Sequence, residues 1–131
     1  MSFEIQSPHT PEVLNSDVSW FVTGITGFVG SHLFSHLASL PGEIYVGMRR
    51  PEEMPVSGRA VATPLDLLTQ SNLVIPAGVG TVIHLAGEKR DVSRMWAINC
   101  EGTRRLLEAS ARAGVRRFIY ASSSSVYGVK G

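Results

Sequence analysis

The segment Thr23-Gly24-Ile25-Thr26-Gly27-Phe28-Val29-Gly30 follows the apolar run Trp20-Phe21-Val22 and leads into residues of helical periodicity. A strand that runs through a glycine-rich turn into a helix narrows the possible folds sharply. Gly24 lets the chain turn off the strand, and Gly30 lets the new helix pack close to it. Gly27 leaves backbone with no Cβ in the way of an approaching anion. The helix start adds unpaired N–H groups and a partial positive charge. The pattern predicts a phosphate-binding turn of the kind that cradles a dinucleotide pyrophosphate; a tight turn serving packing alone is the alternative.

The rest of the chain alternates strand-like and helix-like patterns. Strands are expected at Ser19 to Thr23, Glu43 to Gly47, Ala60 to Thr63, Thr81 to Ala86 and Arg117 to Ala121. The first helix starts near Phe28, with Val29, Leu33, Leu37 and Leu40 as its apolar positions, and Pro41-Gly42 stops it. A polar loop covers Glu52 to Gly58. Asp66-Leu67-Leu68 opens a brief helix that Pro76 and Gly78 close. The longest helix runs from about Ser93 to Ala113, with Met95, Ile98, Gly102, Leu106, Ala109 and Ala113 as its apolar stripe. Glu101 with Arg105, and Glu108 with Arg112, are (i, i+4) pairs on its wet side, and Gly114 ends it. Strands alternating with helices imply an α/β fold with a doubly wound parallel sheet. The glycine turn places the first strand in the middle, in the order 3-2-1-4-5.

The 131 residues are enough for one domain with a real core. A net charge of +1 with 18% charged residues calls for neither a nucleic-acid nor a membrane partner. No apolar stretch approaches the roughly 18 residues of a membrane span. The single cysteine, Cys100, has no partner for an internal disulfide and fits a reducing, cytoplasmic setting. Residues 1–18 are polar, carry Pro8 and Pro11, and read as an arm outside the core; residues 19–131 form the nucleotide-binding domain.

Four segments in order carry a family resemblance: Thr23 to Gly30; His84-Leu85-Ala86-Gly87; Asn99-Cys100-Glu101-Gly102-Thr103 with Leu106-Leu107-Glu108-Ala109; and Phe118 to Gly128. Together they resemble the extended short-chain dehydrogenase/reductase family, the NAD(P)-dependent nucleotide-sugar epimerases and dehydratases, with a Rossmann fold. The likeness runs from about Ser19 to Gly128. It implies that Gly24, Gly27, Phe28 and Val29 hold the pyrophosphate, with Thr26 and Gly30 in the same cofactor-binding turn, and that Asp66 and Leu67 border the adenine. It places Leu85, Ala86 and Gly87 along the nicotinamide ribose, with Lys89 near its hydroxyls. Asn99 would brace the long helix, Ala121 and Ser122 would complete the cofactor set, and Ser123 would be the catalytic serine that hydrogen-bonds the substrate's hydroxyl or carbonyl. The family also commonly pairs its long helix and the next one across a homodimer, and adds a sixth strand beside the fifth.

Two departures modify that picture. The family's base is a tyrosine in a YxxxK motif, whose lysine lowers the phenol's pKa. No such motif occurs here: Tyr45 is followed four places on by Arg49, Tyr120 by Ser124 and Tyr127 by Gly131. The chain is therefore expected to be the first part of a longer enzyme and inactive alone. The second departure lies at the end of the second strand, where NAD-using members carry an acid for the ribose 2′-OH. Here Met48 is followed by Arg49 and Arg50, which suit a 2′-phosphate, so NADP is expected in preference to NAD. The alternative is that both arginines are solvated loop charges neutralised by Glu52 and Glu53.

The remaining polar features have plain readings. His32 and His36 stand at (i, i+4), a spacing that suits zinc, but no third ligand follows and no metal is expected. His84, in an apolar strand, reads as a core histidine. The arginines at 104, 105, 112, 116 and 117 read as a solvated face. Two functions of different class follow. The first is the dinucleotide-binding part of an epimerase, dehydratase or reductase acting on a small-molecule substrate. The second is a stand-alone, non-catalytic NAD(P)-binding module with a regulatory role.

Overall fold

The computed structural model describes residues 19–54 and 59–128. The arm expected over residues 1–18 lies outside them, as do residues 55–58 of the polar loop and residues 129–131. Five strands, β1 (Ser19–Thr23), β2 (Ile44–Met48), β3 (Ala60–Pro64), β4 (Val79–His84) and β5 (Arg117–Tyr120), pair in parallel in the order β3-β2-β1-β4-β5. The sheet is the doubly wound, Rossmann-like arrangement with β1 at its centre.

Successive side chains of a strand point to opposite faces, so each central strand feeds two cores. Phe21 and Val82 join Leu65, Leu73, Leu106 and Ala109 on one face. Val22 and Ile83 join Ile25, Leu37, Ile44 and Val46 on the other. Near-continuous apolar strands are what a sheet covered on both sides requires. β4 ends at His84, two residues earlier than its apolar run suggests. The Leu85 and Ala86 N–H groups turn instead to the Thr23 hydroxyl, both at 3.2 Å.

Helix α1 (Phe28–Leu37) covers the second face through Leu33, Phe34 and Leu37. Val29 is not part of that stripe: it is 61% exposed, in the first turn beyond the sheet edge. The first face is covered by a helical rod of three parts: α2 (Val92–Met95), a π-helical segment (Trp96–Gly102) and α3 (Thr103–Arg112). Asp91 caps its start by accepting from the Ser93 N–H at 3.0 Å. Gly114, with φ +74°, ends it. The Val115 N–H reaches the Ser110 carbonyl at 3.0 Å and the Gly114 N–H reaches that of Ala111 at 3.2 Å, closing a Schellman motif.

Two expectations are corrected here. The ion pairs on α3 are not Glu101–Arg105 and Glu108–Arg112. Arg104 takes both carboxylates, Glu101 at 3.0 Å and Glu108 at 2.6 Å. Arg105 and Arg112 point the other way, onto the connection between β3 and β4. That connection is not the brief helix expected from Asp66-Leu67-Leu68. Asp66 does start a turn, accepting from the Leu68 and Thr69 N–H groups at 2.8 and 3.2 Å, and the Gln70 N–H returns to the Asp66 carbonyl at 3.1 Å. After that single turn the chain leaves helical form and drops Leu73 and Ile75 into the core beneath α3.

Candidate functional site

The carboxyl ends of β1, β2 and β4, the start of α1 and the turn after β3 enclose a cleft of about 490 Å³. Its floor is the glycine turn. Gly24 has φ +79°, and a Cβ there would lie 2.6 Å from the Ala86 nitrogen. At Gly30 a Cβ would lie 1.9 Å from the Gly24 carbonyl oxygen. Both positions are therefore demanded by packing within the chain. Gly27 is different: a Cβ there would meet only the Gly24 oxygen, at 3.5 Å, an ordinary contact. The fold has room for a side chain at Gly27, yet the position faces the cleft bare. It is also the N-cap of α1, with no side-chain cap and no acidic residue in the first turn. The helix start thus presents its positive end to the cleft without a counter-charge from its own first turn.

The sequence-derived cofactor set divides. Gly24, Thr26, Gly27, Phe28, Val29 and Gly30 line the cleft together with Arg49, Asp66, Leu67, Leu85, Ala86, Gly87 and Lys89. Arg50 is not on its wall; its guanidinium turns to Glu53 at 2.8 Å on an exposed 3₁₀ turn, Pro51–Glu53. Ala121, Ser122 and Ser123 are exposed beyond the end of β5 and the cleft does not reach them. The Ala121 N–H is bonded to the His84 carbonyl at 3.2 Å. The Ser123 hydroxyl caps the 3₁₀ turn Ser124–Tyr127, accepting from the Ser125 N–H at 3.2 Å and lying 2.8 Å from the Ser125 hydroxyl.

Asn99 is off the wall and holds it. Its Oδ1 accepts from the Glu88 N–H at 2.7 Å and its Nδ2 donates to the Glu88 carbonyl at 2.8 Å. This two-point clamp, thrown from the π-helical segment, fixes the strand-to-helix loop carrying Gly87 and Lys89. Glu88 in turn folds that loop on itself, its Oε1 accepting from the Lys89, Arg90 and Asp91 N–H groups at 2.9, 2.8 and 3.2 Å. Those bonds, the one from Arg90 foremost, hold its carboxyl below the usual carboxylate range. On the opposite wall the Thr69 hydroxyl, with the Leu68 and Thr69 N–H groups and the charge of Arg49, does the same for Asp66. The carboxylate of Asp66 is thus kept ionised next to the Arg49 side of the cleft.

Sequence reading missed the network beneath the floor. His84 is fully buried; its Nδ1 lies 2.6 Å from the Thr23 hydroxyl and its Nε2 lies 3.0 Å from the Thr103 hydroxyl. Thr23 already accepts two N–H groups, so its own proton goes to Nδ1, and Nε2 carries the ring proton toward Thr103. Burial pushes the histidine's pKa down to about 4, which keeps this neutral form. Tyr120 stacks on the ring with centroids 5.6 Å apart. One imidazole therefore ties β1, β4 and α3 directly below the glycine turn. A histidine closing an apolar strand, with a threonine closing its neighbour, is the only signal the sequence offers for it. The imidazole of His32 is taken up locally, its Nδ1 lying 2.8 Å from the Phe28 carbonyl. Among the described residues no helix is long and apolar enough to cross a membrane.

Comparison with known proteins agrees with this geometry. Residues 20–131 match the model of the NAD dependent epimerase/dehydratase family. Among curated relatives, the chain is 38% identical over 117 residues to a GDP-6-deoxy-D-mannose reductase of Pseudomonas aeruginosa, covering 82% of this chain and 34% of that protein. It is 30% identical over 116 residues to a 3-beta-hydroxysteroid dehydrogenase of Mycolicibacterium neoaurum, covering 80% of this chain and 32% of that one. The chain thus spans about a third of the length of these curated relatives. Among solved structures, MoeE5 in complex with UDP-glucuronic acid and NAD superposes with a TM-score of 0.70 at 32% identity, over 86% of this chain and 39% of that one. The oxidoreductase ylbE of Lactococcus lactis gives a TM-score of 0.68 at 25% identity, over 82% and 49%. With a bare Gly27 facing the cleft, a parallel sheet centred on β1 and a family match from residue 20 to residue 131, the chain belongs to the NAD-dependent epimerase/dehydratase family.

Proposed function

We propose that the chain is the dinucleotide-binding part of an NAD(P)-dependent epimerase, dehydratase or reductase that acts on a sugar nucleotide or a similar hydroxyl or carbonyl compound. The observation that carries this reading is the contrast within the glycine turn. Two glycines are required by the chain's own contacts, and the third, Gly27, is free of them and open to the cleft. A pyrophosphate would rest on the backbone from Gly24 to Val29, with Asp66 and Leu67 at the adenine end and Leu85, Ala86, Gly87 and Lys89 at the nicotinamide end. Bound there, the nicotinamide would supply the hydride chemistry, while this chain's residues bind and orient it. Ser123 has no Tyr-x-x-x-Lys partner within the 131 residues, so the chain by itself binds cofactor without turning over a substrate.

Calorimetry tests the reading. The parent binds dinucleotide, and Gly27→Val abolishes binding while its thermal transition stays cooperative. A variant that unfolds like the parent and binds equally well would overturn the assignment. Arg49 adds the choice between cofactors. It stands on the cleft wall after β2 where a 2′-phosphate would come, and Arg50 is engaged elsewhere. The parent is therefore expected to prefer NADP to NAD, and Arg49→Ala to erase most of the difference. Equal affinities of the parent for the two cofactors would remove this part of the proposal. Turnover of a nucleotide sugar by residues 1–131 alone would remove the claim of inactivity.

A further inference from the structure

The connection from β3 to β4 supplies one wall of the cleft, yet it contains only one helical turn. Its first residues are laid out for more: Asp66 caps the turn, and Gln70 returns to it through both its N–H and its side-chain oxygen, the latter accepting from the Asp66 N–H at 3.0 Å. What takes the next carbonyls is not the chain's own backbone but an arginine of α3. Arg105 Nη2 donates to the Leu67 carbonyl and Nη1 to the Gln70 carbonyl, both at 2.5 Å. Those are two of the carbonyls that a continuing helix would have bonded to its own N–H groups. The guanidinium's Nε holds the Glu101 carbonyl at 3.3 Å, and the side chain is partly buried, so the fork is locked at both ends. Gly102, one turn earlier, lets the connection sit close, since a Cβ there would lie 2.9 Å from the Leu67 carbonyl oxygen.

We infer that Arg105 is the positioning residue that holds the turn after β3 against α3 and sets Asp66 and Leu67 at the cleft's edge, and so governs affinity for the adenine half of the dinucleotide. The inference rests on the dinucleotide reading for its ligand, but not for its structural part. Arg105 does not itself line the cleft; it acts through the backbone carbonyls of Leu67, which does, and of Gln70. A lysine at this place has one point charge and no fork, so it reaches one carbonyl at a time. Arg104, its neighbour on α3, carries the same charge but faces Glu101 and Glu108 and serves as the control.

The experiment uses the full chain as Arg105→Ala, Arg105→Lys and Arg104→Ala, with two readouts. The first is amide hydrogen exchange at Leu68 and Thr69, which needs no ligand. Both Arg105 variants should exchange faster there while the amides of β1 and β4 keep the parent's protection. The second is calorimetry with ADP and with nicotinamide mononucleotide. ADP affinity should fall by about tenfold in Arg105→Ala and by less in Arg105→Lys, a size usual for residues that act at one remove, and nicotinamide mononucleotide affinity should hold. Arg104→Ala should match the parent throughout. If Arg105→Ala does not fold, Arg105→Lys carries both readouts. Parent-like exchange at Leu68 and Thr69 in the Arg105 variants would overturn the positioning role, whatever the ligand does. Faster exchange with unchanged ADP affinity would overturn its link to the adenine half, and an equal loss in Arg104→Ala would reduce it to long-range charge. Failure of the parent to bind ADP or dinucleotide at all would overturn the function proposed for the cleft and leave the exchange result to decide the positioning role.

Discussion

At the scale of single residues, His84 does the most with the least exposure. It has no water contact, bonds to Thr23 and Thr103 on either side, and has its pKa pushed down to about 4 by burial. The folded state therefore refuses a proton that the unfolded chain accepts below about pH 6.5. The sign follows: the stability is complete above about pH 6.5, falls as the pH drops through that value, and is fully lost near pH 4. The gap corresponds to roughly 3 kcal/mol at most. Urea unfolding at pH 7 and pH 5 should show the parent losing a substantial part of its stability, and His84→Gln should flatten that slope while being less stable at pH 7. A parent curve that is level between pH 7 and pH 5 would mean the ring is protonated in the fold, and the tautomer assigned here would be wrong.

At the scale of elements, the junction of β1 with α1 separates two uses of glycine. Gly30→Ala puts a methyl group 1.9 Å from the Gly24 carbonyl oxygen. It should lower stability by roughly 1–3 kcal/mol or prevent folding, as overpacking does. Gly27→Ala has room and should leave the melting temperature near the parent's while weakening dinucleotide binding. Equal melting temperatures for Gly30→Ala and the parent would show that α1 shifts freely away from β1. The elements that were legible in the sequence are those whose reasons are local. The five strands show as apolar runs, the glycine turn fixes the centre of the sheet, and Gly114 marks the end of α3. The turn after β3 was misread because its determinant is remote. Asp66-Leu67-Leu68 is a sound helix start, but Leu73 and Ile75 are drawn into the core beyond it and an arginine 38 residues past Leu67 takes the carbonyl that a second turn would have used. The pairing of Arg104 with Glu101 and Glu108 escaped for a local reason: three- and four-residue spacings put several arginines within reach of the same glutamates on one helix face. Among candidate site residues, those tied to the turn and to the ends of β2, β3 and β4 came together at the cleft. Arg50 went to a local carboxylate, and the Ser123 loop stands apart, beyond the end of β5.

At the scale of the whole molecule, the helical rod and the edge strand β5 both turn apolar side chains outward. On the helical rod, Trp96 is 70% exposed and Leu107 46%, and on the edge strand β5 Ile119 and Tyr120 are about half exposed. β5 pairs only with β4 among the described strands, so its other edge offers unpaired backbone groups. The 131-residue chain is therefore expected to self-associate, the rod supplying the homodimer contact implied by the family resemblance. Sedimentation should show mass increasing with concentration, and Leu107→Glu with Trp96→Glu should reduce it. A single monomer boundary at high concentration would show that these surfaces suffice as they are. The glycine turn has a consequence in time as well as in affinity. Its shape is dictated from inside, by the φ of Gly24, the crowding of Gly30 against it and the 3.2 Å bond from the Gly27 N–H to the Gly24 carbonyl. A dinucleotide meeting a turn so fixed has no loop to order before it docks. Capture should then run at nearly the same speed in the parent and in variants of the surrounding walls, and the differences among them should be read in how long the cofactor stays.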